Sequence, residues 1–318
     1  MSSVFRIATR ESELALRRAR GVQAMLAERN IDSELVTFKT TGDKRFAKSV
    51  SLADAKTAFS HELEAALRKR KADIAVHALP DLPVDLSPGL IVSAIPPRED
   101  PRDVLVVNEL IEATALQDLP RGSRVGTSSI RCRAMLSALY PQLEIAHLRG
   151  DLRTRLKKVD EGQVHATIVS AAAMHRLDVS QRIAAYLEPP EWLPAPGQGG
   201  LALQVREDDR DAMAAVSPLD DPRSRADTAA ERACLAALEG GPQSPVGALV
   251  LEAGGHRAVH AAIASPLGPP IVRAQVPMDD DAPELAGVRL ANELRAKGAS
   301  RILDALRGVD RVGSPQPD

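Results

Sequence analysis

The chain has 318 residues, of which 44% are hydrophobic and 26% charged, and its 41 basic and 43 acidic side chains give a net charge of −2. A nearly neutral chain has no broad positive field to hold nucleic acid or an anionic membrane. Only 2% of its residues are aromatic, so few side chains could stack on bases. We expect no nucleic-acid or membrane partner, and a length that fits two or three domains.

The N-terminal segment and the cysteines predict the compartment. Residues 1–21 contain no apolar signal core, and no stretch approaches the length of a membrane span. Cys132 and Cys234 are too few for a disulfide framework or a thiolate zinc site. His256 and His260 fall in a turn and a strand and not on one helix face. We expect a cytoplasmic protein without a metal site.

In chain order, the first elements alternate between strands and helices. FRIAT, SELVTF and ADIAVHAL predict strands, and LALRRARGVQAMLAER and ELEAALRKRK predict the helices between them. This order is typical of a parallel sheet covered by helices. After the proline-rich PPREDPRD the alternation restarts with DVLVV and runs to a second proline-rich segment, PPEWLPAPGQGG. The strand LALQVR that follows lacks a partner in a new domain, so we expect it to return to the first one.

The two proline-rich crossovers predict an α/β fold of three domains with a hinged cleft between the first two. From about residue 221 the pattern changes to a long helix, two strands and two final helices, which predicts a small α+β domain. The expected boundaries are 1–99 with 200–217, then 100–199, then 218–318. The last domain contains a stiff loop, GGPQSPVG, at 240–247.

Three predicted strand-to-helix turns combine hydroxyls with arginines. They read ATRES, VGTSSIR and HLRGDLRTR, and parallel sheets bind ligands at such carboxyl ends of strands. Helix N-termini and arginines both favour anions, although serine at a helix N-cap is also ordinary structure. The turns favour a cleft for a polyanion, lined by Arg10, Ser12, Thr127, Ser128, Ser129, Arg131, Arg149 and Arg155.

Three further residues are open to two interpretations each. Asp81 follows the third strand between prolines, where it either forms a turn or handles protons and stabilises a developing cation. Lys56 lies in a loop-like stretch that either folds over the cleft or is a solvated surface segment. Cys132 follows Arg131 in an anion-binding turn and is either core filler or a nucleophile.

These stretches together resemble one known family from Arg6 to about Arg307. RIATRESELAL, ELEAAL, ADIAVH, REDPRD, VGTSS, LRG with TRL, LPAPGQG, and AERA with LEGG occur in the order typical of porphobilinogen deaminases, also called hydroxymethylbilane synthases. The resemblance implies three domains, the first two like periplasmic binding proteins, and a monomer.

The resemblance also implies a reaction. The family joins four porphobilinogen units head to tail with release of ammonia from each, then releases linear hydroxymethylbilane by hydrolysis. Porphobilinogen carries acetate and propionate groups, which implies a small anionic pyrrole as the ligand. Asp81 would be the catalytic carboxylate. The implied substrate-binding residues are Arg10, Ser12, Lys56, Thr127, Ser128, Ser129, Arg131, Arg149, Arg155 and Arg176.

The stiff loop departs from the family at its functional position. The family's loop reads GGC, and its cysteine carries a dipyrromethane cofactor as a thioether. Here the residue is Pro242, so we expect no covalently attached cofactor. Related departures are Pro80 for a lysine, Cys132 for an arginine and Asp151 for an asparagine.

Three hypotheses remain open from the sequence. The first is an enzyme that condenses porphobilinogen on a noncovalently held primer, or on one attached elsewhere, with Cys132 the nearest candidate. The second is an enzyme that works without dipyrromethane on a different pyrrole or polycarboxylate. The third is a non-catalytic anion-binding protein. Retention of Asp81 favours an enzyme, and loss of the loop cysteine disfavours the ordinary mechanism.

Overall fold

A computed structural model describes residues 4–40, 60–239 and 244–311, with the backbone alone for 307–311. Its strands are β1 (Phe5–Arg10), β2 (Ser33–Phe38), β3 (Ile74–Ala78), β4 (Leu90–Ala94), β5 (Asp103–Val107), β6 (Arg124–Thr127), β7 (Glu144–His147), β8 (Ala166–Ser170), β9 (Ala185–Leu187), β10 (Leu201–Arg206), β11 (Val246–Ala253), β12 (His256–Ser265) and β13 (Gly268–Pro277). Its helices are α1 (Glu13–Ala27), α2 (His61–Arg68), α3 (Ile130–Leu139), α4 (Leu152–Asp160), α5 (Ala171–Arg176), α6 (Arg210–Val216), α7 (Pro222–Ala237), α8 (Pro283–Ala296) and α9 (Ala299–Arg311).

Two five-stranded sheets share one topology. The first sheet has the order β2-β1-β3-β10-β4 and the second β7-β6-β8-β5-β9. In each, three parallel strands are followed by one antiparallel strand and a fifth strand that pairs with it. The antiparallel strand is β10 in the first sheet, where the chain returns, and β5 in the second, where it arrives. LALQVR therefore does find its partners in the first sheet, as predicted.

The third sheet is antiparallel and carries its helices on one face. It has the order β11-β12-β13, and its core includes apolar side chains of α7, α8 and α9. Helix α8 lies so close to α7 that a Cβ on Gly287 would stand 2.2 Å from the carbonyl oxygen of Ala230. The predicted α/β fold of three parts, two α/β and one α+β, is confirmed by these sheets, but the third part has three strands where two were predicted. The residue boundaries of the domains stay a prediction.

One fully buried carboxylate joins the three parts. Glu231, on α7, is 0% exposed. Its two oxygens accept hydrogen bonds from Nη1 and Nη2 of Arg98, at 2.6 and 2.9 Å. They also accept from the backbone N–H groups of Gly197, at 2.7 Å, and Val250, at 3.1 Å. Arg98 and Gly197 lie on the two crossovers between the large sheets, and Val250 lies in the third sheet.

None of the helices in the described ranges is both long enough and apolar enough to cross a bilayer.

We predict that Glu231→Gln lowers the stability of the whole chain. The change leaves the Arg98 guanidinium buried without a negative partner, which typically costs about 3–5 kcal/mol. The midpoint of thermal unfolding measures the effect. Glu252→Gln is the matched control, because Glu252 pairs with Arg223 in an exposed salt bridge worth about 0–1 kcal/mol. Equal midpoints for the two variants would contradict the central role of Glu231.

Candidate functional site

The predicted site residues gather at the carboxyl ends of parallel strands. Strand β1 ends at Arg10, β6 at Thr127 and β7 at His147. Strand β3 ends at Ala78 and runs directly into a short 3₁₀ turn, Leu79–Asp81. Parallel strands present these ends on one edge of their sheet, which is where ligands bind in open α/β folds.

Asp81 is accessible and faces an arginine. Its side chain is 38% exposed, and its Oδ2 lies 4.0 Å from Nη1 of Arg10. The loop that carries Asp81 is held from the third part of the molecule by Arg232 on α7. The Arg232 guanidinium donates to the carbonyl oxygens of Leu79 and Leu82 at 3.0 Å and of Pro83 at 2.8 Å. Asp81 therefore sits on a loop whose backbone is fixed by a residue that the sequence did not point to.

The second α/β part contributes another arginine to this region, Arg176. Arg176, the last residue of α5, donates from Nε to Oε1 of Glu99 at 2.7 Å. Arg18, on α1, lies in the electrostatic field of Asp81, Arg176, Arg10 and Glu99. Burial lowers the pKa of Arg18 to about 10, so this side chain stays cationic at neutral pH. We call Arg10, Arg18, Arg176, Asp81 and Glu99 the first cluster.

A second cluster lies at the carboxyl edge of the second sheet. Arg155 donates from Nε to the carbonyl oxygen of Gly150 at 2.9 Å and from Nη2 to Oγ of Ser128 at 3.0 Å. Burial lowers the pKa of the Arg155 guanidinium. Arg149 donates from Nε to Nε2 of His147. Burial and the neighbouring arginines lower the pKa of His147, which suits a neutral imidazole that accepts a hydrogen bond.

Several other predicted binding residues have partners within the protein. Arg131 is buried and donates from Nη1 to Oδ2 of Asp103 at 2.7 Å and to the carbonyl oxygen of Leu193 at 2.9 Å. Ser12 caps α1 and Ser129 caps α3, each accepting from a backbone N–H. The Oγ1 of Thr127, which is buried, accepts from the backbone N–H of Ser129. These contacts match the ordinary structural interpretation of the turns, and their contact with a ligand stays a prediction.

Both cysteines are buried. The Cys132 side chain is 3% exposed, and burial raises the pKa of its thiol. Burial raises the pKa of Cys234 to about 12. A thiol becomes nucleophilic as the thiolate, so neither sulfur is prepared for attack in this conformation. Lys56 and Pro242 lie outside the described residues.

Two exposed salt bridges connect the α/β parts beside the clusters. Arg153 donates from Nε to Glu13 at 2.5 Å, and Arg17 donates from Nη1 to Asp178 at 2.5 Å. Both salt bridges join helix α1, in the first α/β part, to the second α/β part. Exposed pairs of this kind contribute about 0–1 kcal/mol, so they permit the parts to separate.

A buried polar chain lies behind Asp81. His77 on β3 shares a hydrogen bond of 3.0 Å between its Nε2 and Oε1 of Gln204. Gln204 donates to Glu64 at 3.2 Å, and Ser87 donates to the other oxygen of Glu64 at 2.7 Å. Because the Gln204 amide already donates to Glu64, its oxygen must accept, and His77 donates as a neutral imidazole.

Within the part of the chain that the structure describes, no three His, Cys, Asp or Glu side chains are grouped so that they could hold a metal ion.

The fold and the two clusters define a protein with two α/β parts and a third α+β part, in which arginines collect at the carboxyl edges of both large sheets and one arginine faces the accessible Asp81. Residues 5–214 match the sequence profile of the family described as "Porphobilinogen deaminase, dipyromethane cofactor binding domain". The chain is 41% identical over 310 residues to a porphobilinogen deaminase of Gloeobacter violaceus, covering 96% of this chain and 94% of that protein. It is 40% identical over 307 residues to one of Chromobacterium violaceum, covering 96% and 98%. The chain belongs to the porphobilinogen deaminase family.

Among solved structures, the methionine binding protein MetQ superposes with a TM-score of 0.44 at 13% identity, over 68% of this chain and 89% of that one. A score this low adds nothing to the sheet topology given above.

We predict a stability loss at acid pH that depends on His77. Burial lowers the pKa of His77 to about 4, from 6.5 in the unfolded chain. Between these values only the unfolded state binds the proton, so the free energy of unfolding falls as the pH falls, by about 3 kcal/mol in total. Denaturant unfolding of the protein and of His77→Gln between pH 7 and pH 4 measures the difference in slope. Parallel pH profiles would contradict the assignment.

Proposed function

We propose that this chain is a hydroxymethylbilane synthase-type transferase that condenses porphobilinogen into a linear tetrapyrrole without a thioether-linked dipyrromethane. The single observation that carries the proposal is the position of Asp81, an accessible carboxylate beside Arg10 on a loop fixed by Arg232. Family membership supplies the reaction class, and we propose a cytoplasmic monomer acting on a small anionic pyrrole.

The arginine clusters support the proposed substrate. Porphobilinogen carries an acetate and a propionate, and a desolvated guanidinium–carboxylate pair contributes about 1.5–3 kcal/mol. Arg10 lies 4.0 Å from Asp81, and Arg176 acts with Asp81 on the charge of Arg18. Arg149 and Arg155 lie beyond the carboxyl end of β7 in the second sheet. A growing chain of pyrroles adds carboxylates with each unit, so several such contacts can form together.

Asp81 suits the charge that develops in the condensation. The C–N bond of the aminomethyl group of one porphobilinogen breaks, and its protonated amino group leaves as ammonia. The methylene carbon stays on the ring as a cation that the pyrrole nitrogen stabilises. The unsubstituted ring carbon of the acceptor pyrrole then attacks the methylene carbon and loses its proton. A fixed carboxylate near the pyrrole nitrogen lowers the energy of that cation, and it can accept the released proton.

The residues of this chain do not fit covalent attachment of the family's cofactor. Position 242 is a proline, and both thiols of the chain are buried with raised pKa values. We propose that the first acceptor pyrrole is held by ion pairs.

We predict that the intact mass of the protein under denaturing conditions equals that of the bare chain, both as purified and after incubation with porphobilinogen. Without an accessible thiol no pyrrole can be retained as a thioether. An added mass of two or more linked pyrroles would contradict the proposal. Repeating the measurement on Cys132→Ser would then show whether Cys132 is the attachment point.

We predict that Asp81→Asn reduces tetrapyrrole formation at least about 100-fold, because the neutral amide no longer stabilises the cation. Absorbance of the oxidised product measures turnover. Asp85→Asn is the matched control, since Asp85 is an exposed aspartate in the same segment and should leave turnover unchanged. Binding of porphobilinogen without any turnover in the unmodified protein would overturn the transferase proposal in favour of an anion-binding protein.

A further inference from the structure

One arginine of the first cluster, Arg18, has a buried donor atom without a hydrogen-bond partner among the residues that the structure describes. The Nε of Arg18 is buried and forms no hydrogen bond with any described residue. Arg18 lies on the second turn of α1, whose N-terminus is capped by Ser12 at the end of β1. A buried guanidinium donor without a partner is costly, and such atoms often mark the place of a ligand.

The charges of the first cluster do not balance. Arg176 donates to Glu99, and Arg10 lies 4.0 Å from Asp81. These two pairs use both carboxylates, whereas Arg18 adds a third positive charge in their field. The three arginines and two carboxylates leave an excess of one positive charge. We assign the excess positive charge to Arg18.

The neighbouring residue shows that this is not a general property of α1. Arg17 is part-exposed and is paired within the protein, with Asp178 at 2.5 Å and with Glu13 at 3.9 Å. Arg17 therefore helps to join the two α/β parts. Arg18 points inward, where burial lowers its pKa to about 10 without removing its charge at neutral pH.

We propose that Arg18 is an additional carboxylate-binding residue of the cleft, beside Asp81. A carboxylate of the ligand would supply the missing negative charge and accept the unsatisfied Nε–H. Arg18 then selects ligands with a carboxylate close to the carbon that reacts near Asp81. The inference rests on the proposed function only for the identity of the ligand, a pyrrole with acetate and propionate groups.

A functional cation and a structural cation predict opposite effects on the free protein. If Arg18 serves only to neutralise Glu99 and Asp81, Arg18→Gln should lower the melting temperature of the apoprotein. If Arg18 instead binds a ligand, the same change removes a cation whose buried Nε–H is unsatisfied in the free protein, and the melting temperature should stay equal or rise. Thermal unfolding of the apoprotein distinguishes these cases, and a lowered temperature would overturn the proposal.

Ligand binding supplies the second readout. Calorimetric titration with porphobilinogen should show about 10- to 150-fold weaker binding for Arg18→Gln, with partial recovery in Arg18→Lys. Arg17→Gln, the adjacent arginine with protein partners, should bind within about twofold of the unmodified protein. For 2-aminomethylpyrrole, which lacks carboxylates, Arg18→Gln should change the affinity little. Equal loss for both pyrroles, or none for either, would overturn the role of Arg18.

Binding of a tricarboxylate tests the role of Arg18 independently of the proposed substrate. Tricarballylate binding is followed by thermal shift in the same variants. If the unmodified protein binds tricarballylate through Arg18 but does not bind porphobilinogen, the proposed pyrrole substrate fails and the carboxylate site stands. If neither compound shows a dependence on Arg18, the carboxylate site is wrong whatever the substrate.

Discussion

The buried carboxylate of Glu231 is the interaction on which the rest of the molecule depends. It holds both crossovers between the large sheets and one strand of the third sheet through four hydrogen bonds. The next residue along α7, Arg232, holds the loop of Asp81. One turn of one helix thus fixes the hinge region and the candidate catalytic loop together. A substitution in this turn of α7 would therefore alter the site without altering a residue that contacts a ligand.

This arrangement gives the third part of the molecule a structural task that is independent of a cofactor. Helix α7 ends at Ala237, just before the loop in which Pro242 stands where relatives of the family are expected to carry a cysteine. Glu231 and Arg232 hold the crossovers and the Asp81 loop through contacts in which the residue at position 242 takes no part.

The sequence predicted the site residues that lie at strand ends. It did not predict those that reach the site from a helix or from a distant part of the chain. Arg10 ends β1 and Asp81 lies in the short turn after β3, and the rule for parallel sheets places both backbones at the carboxyl edge of the first sheet. Arg18 lies within a helix, and its inward direction depends on how α1 packs against both α/β parts. Arg232 reaches the Asp81 loop from about 150 residues away along the chain. The pair of Arg131 and Asp103 likewise has a partner on the second crossover, because Gln198 donates to the other oxygen of Asp103.

A primer that is not attached as a thioether must be held by ion pairs. A covalent bond keeps a growing chain in place whatever its affinity, whereas ion pairs must keep it through successive additions. Each guanidinium–carboxylate contact contributes only about 1.5–3 kcal/mol, so a single contact gives weak retention. Several contacts on one chain act together, because each bound carboxylate keeps the others near their partners. Cations beside both large sheets, together with the Arg18 Nε–H that no described residue accepts, are what such retention requires.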